Sequence, residues 1–208
     1  EGSSTPRGGV IYATGANSNI IINDSSFTNN IAKPIEDKSS FGGAIYLDYN
    51  VKLQVTKSNF TDNVASQDGG AILIAGNNNG VIYDCKITDC NFINNTAKYG
   101  GAIYAGLNDN GLLNVTGSNF INNTAVTASG GAIFTRFDII VNNSTFINNT
   151  ATTGNGGAIY EINANRYINV INSTFESNTA NNGGAVYSPG NVNITNSTFT
   201  DNNANSNG

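Results

Sequence analysis

Apolar residues recur along this chain in two short, fixed patterns that are separated by polar stretches. In the first pattern a pair of glycines precedes a short apolar run, and the intervals between successive pairs are 26 to 34 residues. The seven pairs begin at Gly8, Gly42, Gly69, Gly100, Gly130, Gly156 and Gly183. A unit of this length cannot bury a hydrophobic face alone, so the pattern predicts a stack of similar units joined by variable loops.

The second pattern is stricter: a Phe is followed three residues later by an Asn and two residues after that by an Ala. The Phe residues are Phe27, Phe60, Phe92, Phe120, Phe146, Phe175 and Phe199. The Asn residues are Asn30, Asn63, Asn95, Asn123, Asn149, Asn178 and Asn202. We predict that the Phe rings stack in the core. The Asn side chains are predicted to form an inward amide ladder, each bonding the next unit, as stacked Asn do in cross-β arrays.

A strand precedes each Phe. The positions five and seven residues upstream are aliphatic or Cys in all seven units, which is the alternation of a strand with one buried face. Three residues before Phe stand Asp, Asn or Gly in six units and Lys57 in the other. Asp, Asn and Gly tolerate the left-handed backbone of a corner, so we expect the chain to turn there.

Each unit is therefore predicted to hold three strands: one after Gly-Gly, one before the corner and one with Phe. The predicted fold is all-β, a right-handed single-stranded parallel β-helix, or solenoid, of about seven rungs with three strands per rung. Residues 1–208 would form a single domain. A propeller blade needs about 40 residues and four strands, and leucine-rich repeats need Leu, so both are disfavoured.

Composition excludes several classes of function. The chain has no His, 9 Lys plus Arg and 14 Asp plus Glu, which give a formal net charge of −5. The commonest general base and metal ligand is therefore missing, and the negative charge repels nucleic acid. No apolar run is long enough to span a membrane. We expect no cofactor, no metal, no nucleic-acid partner and no membrane insertion by this segment.

The two cysteines fall in different inward columns of the predicted solenoid. Cys85 replaces an aliphatic residue seven positions before Phe92, and Cys90 replaces the Ser that stands two positions before Phe in the other units. This placement favours two buried free thiols. A disulfide across the corner between them is the alternative.

The run after each Gly-Gly pair contains a column of aromatic residues, interrupted by Leu73. Its aromatic members are Tyr12, Tyr46, Tyr104, Phe134, Tyr160 and Tyr187. If the preceding aliphatic residue points inward, the rings form an exposed stripe suited to stacking on sugars or packing on a partner; otherwise they belong to the core. We favour exposure, because a Tyr hydroxyl prefers water or a hydrogen-bond partner, and we take this column as the candidate binding surface.

Catalytic groups are sparse. Enzymes on this architecture need clustered carboxylates with Ca²⁺ and a base, or a pair of acids at catalytic separation. The best local charged group is Arg136 with Asp138 and Glu161, and surface pairing explains it as well. Asp109 and its neighbouring Asn residues form a weak candidate for Ca²⁺, because one carboxylate falls short of a cage. We expect no catalytic residues.

The pairing of Gly-Gly-Ala-Ile/Val with Phe-x-x-Asn resembles the repeats of chlamydial polymorphic outer membrane proteins, which are surface-exposed adhesins. The Asn-rich form, as in Phe146-Ile-Asn-Asn-Thr-Ala151, is also similar to adhesin-like surface proteins of methanogenic archaea. The resemblance covers essentially the whole chain, and only Val10, where Ala is usual, departs slightly.

The resemblance implies an extracellular, non-catalytic, adhesin-like protein that binds a host or neighbouring cell surface, a glycan or a protein. A polysaccharide lyase or glycoside hydrolase and a purely structural spacer are the alternatives. We also expect the native protein to continue beyond this segment, and exposed strand edges to favour end-to-end self-association.

Overall fold

The structure is a computed structural model that describes residues 5–15, 18–34, 39–48, 51–76, 83–106 and 111–208. Within these residues short strands pair in parallel with their equivalents in the neighbouring repeats. The strands build four sheets of seven strands each, so the chain is an all-β parallel solenoid. No helix in the described part is long and apolar enough to cross a bilayer.

We name the sheets A to D in the order in which each repeat enters them. Sheet A contains Ile11–Ala13, Ile45–Leu47, Ile72–Ile74, Ile103–Ala105, Ile133–Thr135, Ile159–Glu161 and Val186–Tyr187. Sheet B contains Asn19–Asn23, Lys52–Thr56, Tyr83–Thr88, Gly111–Thr116, Asp138–Asn142, Tyr167–Ile171 and Asn191–Thr195. Sheet C contains Ser26–Thr28, Asn59–Thr61, Asn91–Ile93, Asn119–Ile121, Thr145–Ile147, Thr174–Glu176 and Thr198–Thr200. Sheet D contains Ile31–Ala32, Val64–Ala65, Thr96–Ala97, Thr124–Ala125, Thr150–Ala151, Thr179–Asn182 and Asn203–Asn207.

Sheet D corrects the prediction of three strands per rung, because each repeat contributes four. Its strands are mostly two residues long and follow the ladder Asn directly. A pair of residues is too short to display the alternation that marks a strand in a sequence. The Ala of the second pattern occupies this strand and is buried in the five inner repeats from Ala65 to Ala180.

Three left-handed corners separate these strands in every repeat. The position three before Phe has φ of 47 to 60°, as the Asp, Asn and Gly there predict. The first Gly of each pair has φ of 58 to 70°, which also agrees with its role as a corner. The third corner, two residues after Phe, was not predicted; its residues have φ of 54 to 57°. This additional corner creates sheet D.

The predicted Phe column forms the centre of the core. Consecutive rings stack nearly parallel, with centroids 4.7 to 4.8 Å apart and interplanar angles of 1 to 5°. The five inner rings, Phe60 to Phe175, are fully buried. Aliphatic residues from sheets A and B pack against them in one continuous cluster. Each buried side chain of this size contributes about 1.5–3 kcal/mol, which makes the column the main apolar support of the rod.

The predicted amide ladder runs beside the Phe column. The Oδ1 atom of Asn123 accepts bonds from the backbone N–H and the Nδ2 of Asn95, both at 3.0 Å. Its Nδ2 donates to Asn149 Oδ1 and to the Phe92 carbonyl, each at 2.9 Å. The five inner Asn side chains are all fully buried. A buried amide that satisfies both its donors and its acceptor gives each rung a fixed register over the next.

A second, hydroxyl ladder follows the position two before Phe. The backbone N–H of Ser118 donates to Ser144 Oγ at 3.1 Å, and the same bond joins Ser144 to Ser173. Cys90 occupies this column and its thiol donates to the Thr88 carbonyl, whereas Cys85 lies in the apolar column of sheet B. Both thiols are free and buried, which confirms the favoured prediction over a disulfide.

Neither thiol is expected to react with Ellman's reagent in the native protein at pH 8 within minutes. Burial raises the pKa of Cys85 to about 12 and raises the pKa of Cys90, so reactive thiolate is scarce. Unfolding in guanidinium chloride without reductant should release two equivalents of thiol. Rapid labelling before unfolding would contradict the burial, and no labelling after it would reveal a disulfide.

Candidate binding site on the aromatic face

The aromatic column lies on the outer side of sheet A. In each strand an Ile, or Val186 in the last repeat, points into the main core, and the next residue points away from it, as alternation along a strand requires. The outward rings join a second, separate cluster with Leu73 at its centre. This placement answers the question that the sequence left open: the rings belong to the outer face. The aromatic face comprises Tyr12, Tyr46, Leu73, Tyr104, Phe134, Tyr160 and Tyr187.

Exposure along this face is uneven. Tyr12 is 48% exposed, whereas Tyr46, Tyr104 and Phe134 are only 3 to 6% exposed. The expectation of an exposed stripe is therefore wrong for the middle of the column. The physical reason is that Phe41, Tyr99, Ile162 and other flanking side chains fold over the rings and cover them.

One flank of the face comes from the residues that precede the glycine pairs. Arg7, Phe41, Asp68 and Tyr99 stack in parallel through isolated bridges, each above its predecessor. The Tyr99 ring meets Phe134 edge-on, with centroids 5.4 Å apart and an interplanar angle of 82°. These flanking residues therefore border the aromatic column along one side.

A surface cavity of about 270 Å³ opens between this flank and the aromatic column. Tyr104 and Phe134, stacked at 4.7 Å, are among its lining residues. Asp68, Tyr99 and Ile162 also line it. Gln67 and Arg136 complete the lining with polar groups. Aromatic and polar side chains therefore meet at one opening, as they do in small-molecule sites.

The electrostatics of the cavity are set by Asp68. Its side chain is 7% exposed, and within the described residues no donor hydrogen-bonds its carboxylate. Burial raises the pKa of Asp68 to about 6, and the charge of Lys98 partly opposes this. Burial also raises the pKa of Tyr104, whose hydroxyl is hydrogen-bonded to Arg136. The cavity therefore holds an acceptor that the protein leaves unsatisfied beside a fixed positive charge.

At the end of the aromatic face near Tyr46, an ion pair lies beside the ring. Arg7 pairs with Asp48 at 3.5 Å and lies over the Tyr46 ring, 5.1 Å from its centroid. Burial raises the pKa of Tyr46 to about 12. These contacts cover Tyr46, which is 4% exposed.

The charged group predicted around Glu161 is only partly assembled. Glu161 is fully buried, accepting bonds from the Asn163 N–H and from Ser188 Oγ at 2.9 Å. Burial raises its pKa. Asp138 forms an ion pair with Arg166 at 3.3 Å. Among the described residues no group of three or more Asp, Glu, Cys or His could hold a metal, and Asp109 lies outside them.

Sequence reasoning missed Gln67, Asp68 and Tyr99 as site residues. They stand just before the glycine pairs, where the identity changes from repeat to repeat: Arg7, Phe41, Asp68 and Tyr99 in the first four. A column without a shared residue type gives no repeat signal. The available signal was the fixed distance to Gly-Gly, which places all of these residues on one edge of sheet A.

Comparison with known proteins matches the repeat pattern to a described family. The model of the Chlamydia polymorphic membrane protein repeat matches residues 24–48, 57–75, 89–106, 117–136, 143–160 and 172–189. A curated relative, "Probable autotransporter YfaL" of Escherichia coli (strain K12), is 34% identical over 150 residues. That alignment covers 71% of this chain and 11% of the relative, so the chain spans about a tenth of its length. No solved structure matches.

Proposed function

Because the chain belongs to the family of the Chlamydia polymorphic membrane protein repeat, we propose that it is a non-catalytic, adhesin-like rod displayed at a cell surface. It would be a right-handed solenoid of about seven windings, held away from the cell by the parent protein. Its partner would be a glycan or protein on a host or neighbouring cell. The relative named as an autotransporter supports a location at the surface or the outer membrane.

One observation carries this proposal: the aromatic face lies outside the core that closes the solenoid. The main core already contains the Phe column and the aliphatic columns of sheets A and B. The rings in the middle of the aromatic face, from Tyr46 to Tyr160, form a separate cluster on the opposite side of sheet A. Rings of this kind are enriched where proteins bind partners, because each combines a large apolar area with a polar edge.

Two alternatives remain in different classes. A polysaccharide-degrading enzyme would use carboxylates such as Glu161 and Asp138, yet both are engaged in hydrogen bonds or an ion pair. A spacer would need no binding face. A spacer would also leave the cavity lined by Asp68 and Tyr99 without a role.

Beads coated with the rod are expected to be retained on cell monolayers more strongly than beads coated with the variant Tyr12→Ser/Tyr99→Ser/Tyr160→Ser. The variant removes three outward rings and leaves the Phe column intact. The matched control is Ile93→Ser/Ile121→Ser/Ile147→Ser, which removes three half-buried apolar side chains from the outer side of sheet C. The control rod should be retained like the original.

Equal retention of all three rods, or none on a panel of cell types, would favour the spacer. Release of unsaturated sugars from acidic polysaccharides in the presence of Ca²⁺ would favour the enzyme. Circular dichroism of each rod before coating verifies that the substitutions leave the solenoid folded.

A further inference from the structure

We propose that the cavity above Tyr104 and Phe134 binds one neutral pyranose unit of a glycan, with Tyr99 against an apolar face of the sugar and Asp68 accepting its hydroxyls. This inference rests on the proposed function, because it assigns a ligand class to the same aromatic face. Asp68 and Tyr99 distinguish this cavity from a nonspecific apolar surface.

The buried carboxylate of Asp68 is the first feature that favours a ligand with hydroxyl groups. Asp68 is more than nine-tenths buried, lines the cavity and has no hydrogen-bond donor among the described residues. Its oxygens are not fully enclosed and face the cavity, so the carboxylate is only partly desolvated. A partly desolvated acceptor that lacks a protein donor still costs free energy, more so when it is ionised. The cost is removed when a ligand brings hydroxyl donors to the carboxylate. A neighbouring repeat holds Phe41 at the equivalent position and Tyr99 stands at the next, so the solenoid itself does not require an acid there.

The charges around Asp68 select a neutral ligand. The positive groups are Lys98, whose charge acts on Asp68 and whose Nζ lies 5.4 Å from the Tyr99 centroid, and Arg136, which lines the cavity. The other titratable groups whose pKa values respond to Asp68 are Tyr46 and Tyr104. The charge of Lys98 disfavours an ammonium ligand, and Asp68 disfavours an anionic one. Hydroxyl groups carry no charge and both donate and accept.

The size and walls of the cavity select a single ring. Its volume of about 270 Å³ is just below the range of about 300–1,000 Å³ typical of sites for drug-sized molecules. A pyranose presents C–H groups on one face and hydroxyls around its edge. Tyr99, which is half-buried, offers apolar contact for the C–H face, and the nearly buried Tyr104 and Phe134 support it from below. The carboxylate of Asp68 and the amide of Gln67 line the same cavity and supply hydrogen-bond partners for the edge hydroxyls.

The test is saturation-transfer NMR on the isolated rod with four probes: the methyl glycosides of glucose, galactose, mannose and N-acetylglucosamine. At least one should receive saturation, strongest at its ring C–H protons, and bind with a millimolar Kd. Tyr99→Ala should abolish the signal, and Asp68→Asn should weaken binding about tenfold. The control Ile121→Ala shortens a half-buried apolar side chain on the outer side of sheet C, away from the aromatic face, and should bind like the original.

A pH series separates the role of Asp68 from simple unfolding. The folded-state pKa of about 6 is above the ordinary value of 3.8, so the stability linked to this group is present below pH 3.8 and lost as the pH rises through 6. Asp68→Asn should therefore raise the thermal midpoint by roughly 4 °C at pH 8 and leave it unchanged at pH 3.5. A variant that is more stable yet binds less cannot owe its loss to misfolding.

The proposal is overturned if none of the four glycosides binds, if Tyr99→Ala binds as well as the original, or if choline gives the signal that the glycosides do not. These measurements use no cells. Their failure would leave the adhesion of coated beads standing, and a failure of bead adhesion would leave glycoside binding standing, so the two hypotheses are tested separately.

Discussion

Replacing Asn123 by Asp is expected to lower the free energy of unfolding by about 3–5 kcal/mol at pH 7, since it places an uncompensated charge in the core. The substitution keeps the shape of the side chain and exchanges one NH₂ group for an oxygen. That NH₂ donates to two acceptors, the Phe92 carbonyl and Asn149 Oδ1. In the variant both acceptors face a carboxylate oxygen, so two hydrogen bonds become two repulsive contacts.

The pH dependence of this loss identifies its cause. A carboxylate enclosed by acceptors holds its proton more tightly in the folded than in the unfolded state, so its folded-state pKa is raised. Stability linked to the group is therefore present at acidic pH and is lost as the pH rises through the raised pKa. The difference between Asn123→Asp and the original protein should be smallest near pH 3 and largest above pH 7, as measured by guanidinium chloride denaturation followed by circular dichroism.

The neighbouring residue supplies a matched control. Asn122 is exposed and has φ of 55°, and the equivalent corner holds Asp62 and Asp201 in other repeats with nearly the same φ. The same chemical change, Asn122→Asp, should alter the free energy of unfolding by less than about 0.5 kcal/mol, as is usual for surface positions. Equal effects at the two positions would show that the amide ladder does not hold the rungs together.

The core of this fold was predictable because each of its columns repeats one residue type. Phe stacks on Phe and Asn bonds Asn, so chemistry and spacing agree in all seven units, and the corner before Phe is marked by residues that accept a left-handed backbone. The corner after Phe was missed. It holds Asn, Asp or Ser. An Asn-rich chain has such residues at many other positions, so they gave no distinct signal. Because this corner was not predicted, sheet D, which follows it, was not predicted either.

The candidate site was less predictable for a related reason. Its position on the aromatic face follows from the repeat, whereas the cavity depends on individual side chains. Asp68 and Tyr99 project from a column without a shared residue type. Gly111 similarly provides room for the buried Phe137 ring, 2.6 Å from where its Cβ would lie. Residues that differ from their equivalents in the other repeats can define a site, yet they leave no periodic signal in the sequence.

Gly101→Ala is the second substitution with a large expected effect, a loss of at least about 3 kcal/mol through overpacking. Gly101 is the second glycine of its pair. A Cβ there would lie 2.2 Å from the carbonyl oxygen of Gly131 in the next repeat and 2.5 Å from the backbone nitrogen of Thr124 in sheet D of the same repeat. Backbone atoms of two paired strands cannot move aside as a flexible side chain does, so the stack itself must open.

The reason for this sensitivity is the closure of the rung. The glycine pair that opens a repeat and the sheet D strand that ends the same repeat meet backbone to backbone, and the same contacts recur at Gly70 with Thr96 and at Gly131 with Thr150. No side chain fits between them. The second glycine therefore provides close approach, whereas the first provides the left-handed corner.

Gly117→Asn is the control that distinguishes the two roles of glycine, close contact between backbones and a left-handed backbone conformation. Gly117 also has a positive φ, of 60°, but Asn143, Asn172 and Asn196 occupy the equivalent corner in other repeats. Its nearest obstacle is the Oδ1 atom of Asp89, an exposed side chain that can rotate away. We expect this variant to stay within about 1 kcal/mol of the original protein. If Gly101→Ala unfolded at the same denaturant concentration as Gly117→Asn, backbone contact between rungs would not limit the solenoid, and the glycine pairs would serve as corners alone.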